Sequence, residues 1–199
     1  MKMKKPHHHG NLRAALIVAG LELLQSGGVP ALSIRKLAQK AGVTHAAPAH
    51  HFPNLKSLRT ALAVEGFKMF TQSMESQLAE VDDDPRTRII AAGRGYLRFA
   101  KDNSGLFNLI FGGTDLDGEN AELVEASEAA YQVLQMIAEP IAIRNGASAS
   151  ASGNKSNEMM IWSLIHGLAG LMLNDKSGRI DPAHIDQIFD SILPSLTFK

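Results

Sequence analysis

Apolar and polar positions along this chain recur almost everywhere at three- and four-residue spacing, the period of a helix with one buried face. Leu12, Ala15, Leu16, Ala19, Leu23 and Leu24 predict a first helix, which Gly27-Gly28 and Pro30 terminate. Ile34, Leu37, Ala38 and Ala41 predict a short second helix, with Ser33 as its N-cap and Gly42 supplying the left-handed conformation that ends it. Val43 then plugs a turn. Thr44 is expected to cap a third helix running to about His50, and Phe52 turns a ring back on the second. A fourth helix starts near Asn54, carries Leu58, Leu62, Met69, Phe70 and Leu78, and stops at Asp82-Asp83-Asp84-Pro85. Asp84 as cap and Pro85 at the first helical position launch the next, with Ile89, Ala92, Tyr96 and Phe99 inward. Leu106 to Phe111 predicts a short apolar helix before a Gly-Gly break. A long helix is expected from about Glu119 to Glu139, ending at Pro140, and the Ala/Ser/Gly/Asn stretch 144–156 reads as a flexible connection.

The last two expected helices are more apolar than the rest. From Met159 to Leu173 one side carries Ile161, Leu164, Leu168 and Met172, and another Trp162, Ile165, Ala169 and Leu173. A helix apolar all round needs burial all round. The final helix, opened by Asp181-Pro182, lines up Ile185, Ile188, Phe189, Ile192, Leu193 and Leu196. One subunit of 199 residues has little core to spare for both, so pairing across a twofold axis is expected, with a large monomeric core as the plainer alternative.

The fold class is therefore all-α, with an N-terminal helix-turn-helix domain over 1–55, a linking helix over 54–81, and a second helical domain over 82–199. A short helix pair joined by a glycine turn serves mainly to place one helix in the major groove of DNA. Charge agrees. Residues 1–60 hold Lys2, Lys4, Lys5, Arg13, Arg35, Lys36, Lys40, Lys56 and Arg59 against the single acid Glu22, a net +8. The rest of the chain is −8, so the formal net charge of zero conceals a basic head that suits a polyanion on an acidic body. A helical hairpin with a solvated basic face is the plainer alternative.

These residues also resemble a family. The segment from His8 to about Phe70 is similar to the N-terminal domain of TetR-type transcriptional regulators. HHGNLRAALIVAGLELLQSGG, SIRKLAQKAGVT, AAPAHHFPN and the helix start at Leu58 carry the likeness, and Trp162-Ser-Leu-Ile-His166-Gly167 resembles the W…HG signature of one subgroup. The resemblance implies a three-helix DNA-binding head, a C-terminal ligand-binding and dimerisation domain whose last two helices pair as a four-helix bundle, and operator DNA as partner. Position by position it makes Ser33, Arg35, Lys36, His51 and Lys56 backbone or groove-edge contacts and puts Thr44, His45, Ala46 and His50 on the recognition helix. Arg35, His45 and His50 have the reach and donors to read a base edge, and the Lys2, Lys4, Lys5 arm can track phosphates. Two positions depart from the pattern: Ala49 stands where a tyrosine is usual, and Leu55 where a lysine follows the turn.

Composition narrows the chemistry. With no cysteine, disulfide scaffolds, thiolate metal sites and cysteine catalysis are excluded. No apolar run approaches the ~20 residues of a membrane span, and MKMKKPHHHG lacks the apolar core of a signal peptide, so a cytoplasmic protein is expected. His7-His8-His9 has no second ligand cluster, and Asp115-x-Asp117-Gly118 departs from a calcium loop in its glycine and lacks the closing glutamate, so it reads as a surface turn that caps a helix. His166 has no activated nucleophile beside it; neither an enzyme, a metal nor a cofactor is expected. For a small-molecule site the candidates are Tyr96, Phe99, Phe107, Phe111, Met136, Trp162 and His166, with Arg94 as anion partner, against ordinary core packing for each. The expected function is a ligand-responsive regulator, a repressor released from its operator by a small molecule. The rival is a helical interaction protein whose body binds another protein, with weak or vestigial DNA binding.

Overall fold

The computed structural model describes residues 12–144 and 151–175, with 187, 188 and 191. The Lys2, Lys4, Lys5 arm, the His7-His8-His9 run and nearly all of the expected last helix lie outside the described residues. Among those described there are seven α-helices, two 3-10 turns and no strand.

Helix α1 (Leu12–Gly27) buries Leu16, Ala19, Gly20 and Leu24, while Leu12 and Leu23 are half-buried and Ala15 is exposed, a narrower stripe than expected. Gly28, at φ 64°, and Pro30 turn the chain through a 3-10 segment, Val29–Ala31. Helix α2 (Ile34–Ala41) is closed at both ends as its sequence dictates. Ser33 Oγ accepts from the Lys36 N–H at 3.1 Å, worth about 1 kcal/mol for such a cap. Gly42 sits at φ 69°, ψ 30°, and the Val43 N–H donates to the Ala38 carbonyl at 3.0 Å, an acceptor it shares with the Gly42 N–H.

The expected third helix is not an α-helix. Residues Ala47–His50 form a 3-10 turn, and Ala46 stands at its start without a side-chain cap, so Thr44 does not cap a helix as expected. The cause is Pro48, which has no N–H to give the Thr44 carbonyl; that carbonyl takes the Ala47 N–H instead, at 3.1 Å. The Pro48 carbonyl accepts from both His51 and Phe52, at 3.0 and 2.7 Å, and leads the chain into the buried Phe52.

Helix α3 (Leu55–Leu78) opens on a reciprocal cap: the Ser57 N–H donates to Asn54 Oδ1 at 2.8 Å and the Asn54 N–H to Ser57 Oγ at 3.3 Å. Helix α4 (Pro85–Asp102) begins as expected, with the Asp84 carboxylate accepting from the Thr87 N–H at 3.0 Å. Helix α5 (Ser104–Phe111) ends at Gly112-Gly113, the latter at φ 72°. Helix α6 (Ala121–Arg144), capped by Asn120, runs through Pro140 instead of ending before it; the proline deletes one helical bond, the one to the Met136 carbonyl, and α6 continues past it. Helix α7 (Ala151–Asn174) starts inside the stretch expected to be a flexible connection.

The chain divides into two compact units, one of Met1–Val64 with Gly105–Leu123, the other of Glu65–Ser104 with Val124–Lys199. The expected boundary near residue 82 thus differs from the observed division: α5 and the loop after it pack with the head. The reason is steric. Gly105 lies against the Leu24 carbonyl, an approach that any side chain would block, and Leu106, Phe107 and Leu109 are buried. In the second unit α4 packs on α7, and Gly95 lets α4 press on α3, where Ser73 Oγ donates to the Gly95 carbonyl at 2.8 Å.

Candidate nucleic-acid interface

The first unit displays one continuous polar segment. Helix α1 packs on α2, and α2 on the 3-10 turn; Leu37, Ala38, Pro48, Phe52 and Leu58 are buried beneath. On the outside Arg35, Lys36, Thr44, His45, Ala46, His50, His51 and Lys56 are all exposed, and Ser33 is half-buried by its capping role. Ala49 is exposed, Leu55 half-buried. Buried residues alternate with this set because Pro48 and Phe52 face the core. What the arrangement offers is a row of cations, imidazoles and hydroxyls on a rigid, doubly capped support, which suits phosphates and base edges. Lys40 is directed to Glu22 of α1 at 3.0 Å, and the Arg13 guanidinium lies 6.0 Å from the Phe52 ring centre.

Two residues near this surface were not assigned to it from the sequence. Asp115, in the loop before α6, pairs with Lys56 at 2.8 Å, and this hydrogen bond holds the lysine pKa above its usual value. Thr60, 3% exposed, accepts the Asp117 N–H at 2.9 Å and itself donates to the Lys56 carbonyl at 2.9 Å. A polar residue among Leu58, Ala61 and Leu62 was the available signal for Thr60. Nothing local marks the Asp115 partnership. Asp117 Oδ1 accepts from the Glu119 N–H at 3.3 Å in an exposed turn, but neither aspartate caps the helix that follows, as was expected; Asn120 does.

The ligand-side candidates divide between the two units. Phe107 and Phe111 belong to the first, with ring centres 5.0 Å apart. In the second, Tyr96, Trp162 and His166 come together. Tyr96 is 5% exposed, and its Oη lies 2.7 Å from His166 Nδ1. Burial pushes its phenol well above the usual range, against a smaller opposing pull from the Trp162 hydrogen bond. Indole N–H can only donate, so the phenol oxygen accepts it, while the direction of the Tyr96–His166 bond follows the tautomer of the imidazole. Phe70 packs edge-on to Tyr96, centres 4.8 Å apart, and lies 5.3 Å from Phe99; it was expected only as core. Arg94 is exposed, whereas Arg88, with an 18% exposed side chain, is more enclosed, pairing with Asp83 at 2.9 Å and placing its second Nη 3.0 Å from the sulfur of Met136. A further unforeseen pair is the buried Glu158 carboxylate, which accepts from the Tyr131 hydroxyl and so raises the pKa of that phenol.

Two family profiles match these same parts. One, bacterial regulatory proteins of the tetR family, covers residues 16–62, and the other, tetracyclin repressor-like C-terminal domain, covers residues 89–196, more than half of the chain. The chain belongs to the TetR family. Its resemblance to the tetracycline repressor protein class A from transposon 1721 of Escherichia coli is 36% identity over 81 residues, which spans 41% of this chain and 36% of that relative. A protein of unknown function from Rhodococcus sp. RHA1 has the same fold at a TM-score of 0.78, with 28% identity over 96% of this chain and 98% of that one. A TetR family transcriptional regulator from Thermus thermophilus shares it at 0.65, with 20% identity and coverage of 92% and 98%. The family is one of DNA-binding transcription regulators, not enzymes, and the helix-turn-helix head falls inside the N-terminal match. Among the described residues no helix is long and apolar enough to cross a membrane.

Proposed function

We propose that this TetR-family chain is a ligand-responsive repressor that binds operator DNA as a homodimer and is released by a small molecule. The observation that carries the DNA half is the capped α2, Gly42 turn and 3-10 segment, which holds Arg35, Lys36, Thr44, His45, Ala46, His50, His51 and Lys56 outward, with Ser33 at the edge, on a basic head. The ligand half is supported by the cluster of the buried Tyr96 with the half-buried His166 and the exposed Trp162, with Phe99, Met136 and Arg94 as further candidates in the same unit; Phe107 and Phe111 are separate candidates in the first unit. A ligand that prefers one spacing of the two heads shifts the population away from the spacing that matches successive major grooves. We place the chain in the W…HG subgroup on Trp162, His166 and Gly167, and in the cytoplasm, where its DNA is.

Selection of bound DNA from a random pool, with and without cell extract, tests the reading. Ala49→Tyr restores a phenol at an exposed position and Leu55→Lys a cation at the start of α3, so on the selected site each should tighten binding several-fold, as expected for one added phosphate contact of about 1 kcal/mol. Fluorescence anisotropy at fixed salt decides it: if neither tightens binding, the head holds phosphates by other residues.

For the dimer, the support is the outer face of α7. Ile161, Ile165 and Ala169 are buried within the chain, while Met159 is 57% and Leu171 60% exposed, and the missing side chains of Gly167 and Gly170 face open space. The last helix, which the dimer reading also uses, lies outside the described residues apart from 187, 188 and 191. Leu171→Glu should give monomers in size-exclusion chromatography with unchanged helical circular dichroism, because a buried unpaired charge costs several kcal/mol. Dimers of wild-type stability would exclude this face.

A further inference from the structure

In the proposed DNA-facing set, Lys56 is held by a carboxylate of its own chain. Its Nζ lies 2.8 Å from Asp115 Oδ1, with the two side chains 46% and 72% exposed. The approach is built into the fold. Two residues on from Asp115, the Asp117 N–H donates to Thr60 Oγ1 at 2.9 Å, and Thr60 Oγ1 donates to the carbonyl of Lys56 itself. Thr60 is 3% exposed, so this anchor is sheltered while the ion pair beside it is open to solvent. Lys56 and Thr60 are one turn apart on the same face of α3, and the loop meets both.

We propose that Asp115 is an internal stand-in for a DNA phosphate: it occupies Lys56 in the free head and thereby sets how tightly the head holds its operator. The proposal rests on the reading of this surface as DNA-binding. A carboxylate and a phosphate oxygen offer a lysine ammonium the same charge-assisted hydrogen bond, so Lys56 can grip a phosphate only by leaving Asp115. Exposed ion pairs are weak and screened, which makes the exchange easy rather than blocked. The contact therefore lowers affinity without abolishing it. It matters more here because Leu55 provides no cation at the neighbouring position, and Lys56 is the basic residue in the first turn of α3.

The test is a double-mutant cycle on full-length protein with the selected operator, read by fluorescence anisotropy at two salt concentrations. Asp115→Asn should tighten binding about tenfold for a dimer at low salt, with a smaller gain at the higher salt concentration, where the exposed pair is already screened. In a Lys56→Ala background the same substitution should change affinity by less than about twofold, since the released partner is gone. Glu119→Gln, an exposed acid on the same loop, measures the effect of deleting any negative charge and should stay within about twofold. No gain from Asp115→Asn overturns the proposal, as does an equal gain with and without Lys56. Failure of the wild-type protein to bind any selected DNA is a different result: it removes the DNA-binding reading itself.

Discussion

Operator affinity is expected to fall about a thousandfold between 50 and 200 mM salt. The expectation follows from the head: Arg35, Lys36 and Lys56 are exposed on the proposed DNA-facing surface, and residues 1–60 carry nine basic residues against one acid. Each phosphate neutralised releases condensed counterions, and log affinity falls with log salt by about 0.9 per contact. Three contacts in each of two heads give a slope of about −5, and a fourfold rise in salt at that slope is roughly a thousandfold. Removing charge should flatten the line by a countable amount. Arg35→Ala with Lys36→Ala deletes two contacts per subunit, four per dimer, so the slope should become shallower by about 3.6. Both side chains are exposed and only the Lys36 backbone takes part in the Ser33 cap, so the double variant keeps the fold. Anisotropy titrations across four salt concentrations measure both quantities. A flat salt response, or an unchanged slope in the double variant, would mean that the basic head is not the DNA contact and would favour the reading of the body as a protein-binding module.

Gly95→Ala is expected to destabilise the second unit by about 3 kcal/mol, at the upper end for overpacking a helix crossing. A methyl group at position 95 would collide with the Ser73 carbonyl oxygen and stand 2.6 Å from Met74 Cα and 2.8 Å from Met74 N. These are backbone atoms, so relief requires α4 to move off α3. That movement would also disturb the Ser73 bond to the Gly95 carbonyl and the edge-on contact of Tyr96, the next residue, with Phe70. Gly105→Ala should act similarly on the first unit, where the obstacle is the carbonyl of Leu24. Gly20 supplies the contrast. Its added methyl would meet only the Leu62 side chain, at 2.9 Å from Cδ2, and a leucine can change rotamer; a cost nearer 1 kcal/mol is expected, offset in part by the better helix propensity of alanine. Urea denaturation followed by circular dichroism gives all three. Equal midpoints for Gly95→Ala and wild type would show that the α3–α4 crossing tolerates separation.

How much of this protein was legible beforehand depends on the range of the forces. Helix beginnings and ends were: Ser33, Asp84 and Gly42 do what their side chains or lack of one dictate, because a cap bonds a backbone group three residues away and needs nothing from the rest of the chain. The basic head against an acidic body was equally open to reading, since charge is a sum over residues. The resemblance to TetR-type regulators was carried by the same short segments.

Errors arose where a local rule met a competing local rule or a distant surface. At residues 47–50 the expected α-helix lost to Pro48, which denies the Thr44 carbonyl its helical donor. Pro140 fell the other way, because one missing bond does not stop a helix that is formed on both sides of it. Tertiary structure alone decided the rest. That α5 joins the head follows from Gly105 meeting the Leu24 carbonyl, 81 residues earlier in the chain. The Tyr96–His166 bond joins residues 70 apart, and the Asp117–Thr60 bond residues 57 apart. Such pairs have no signature in sequence, because a hydroxyl, imidazole or carboxylate can serve many partners equally well. Which partner each meets is chosen by how the helices pack, and packing is driven by apolar burial that carries no information about the polar groups it brings together.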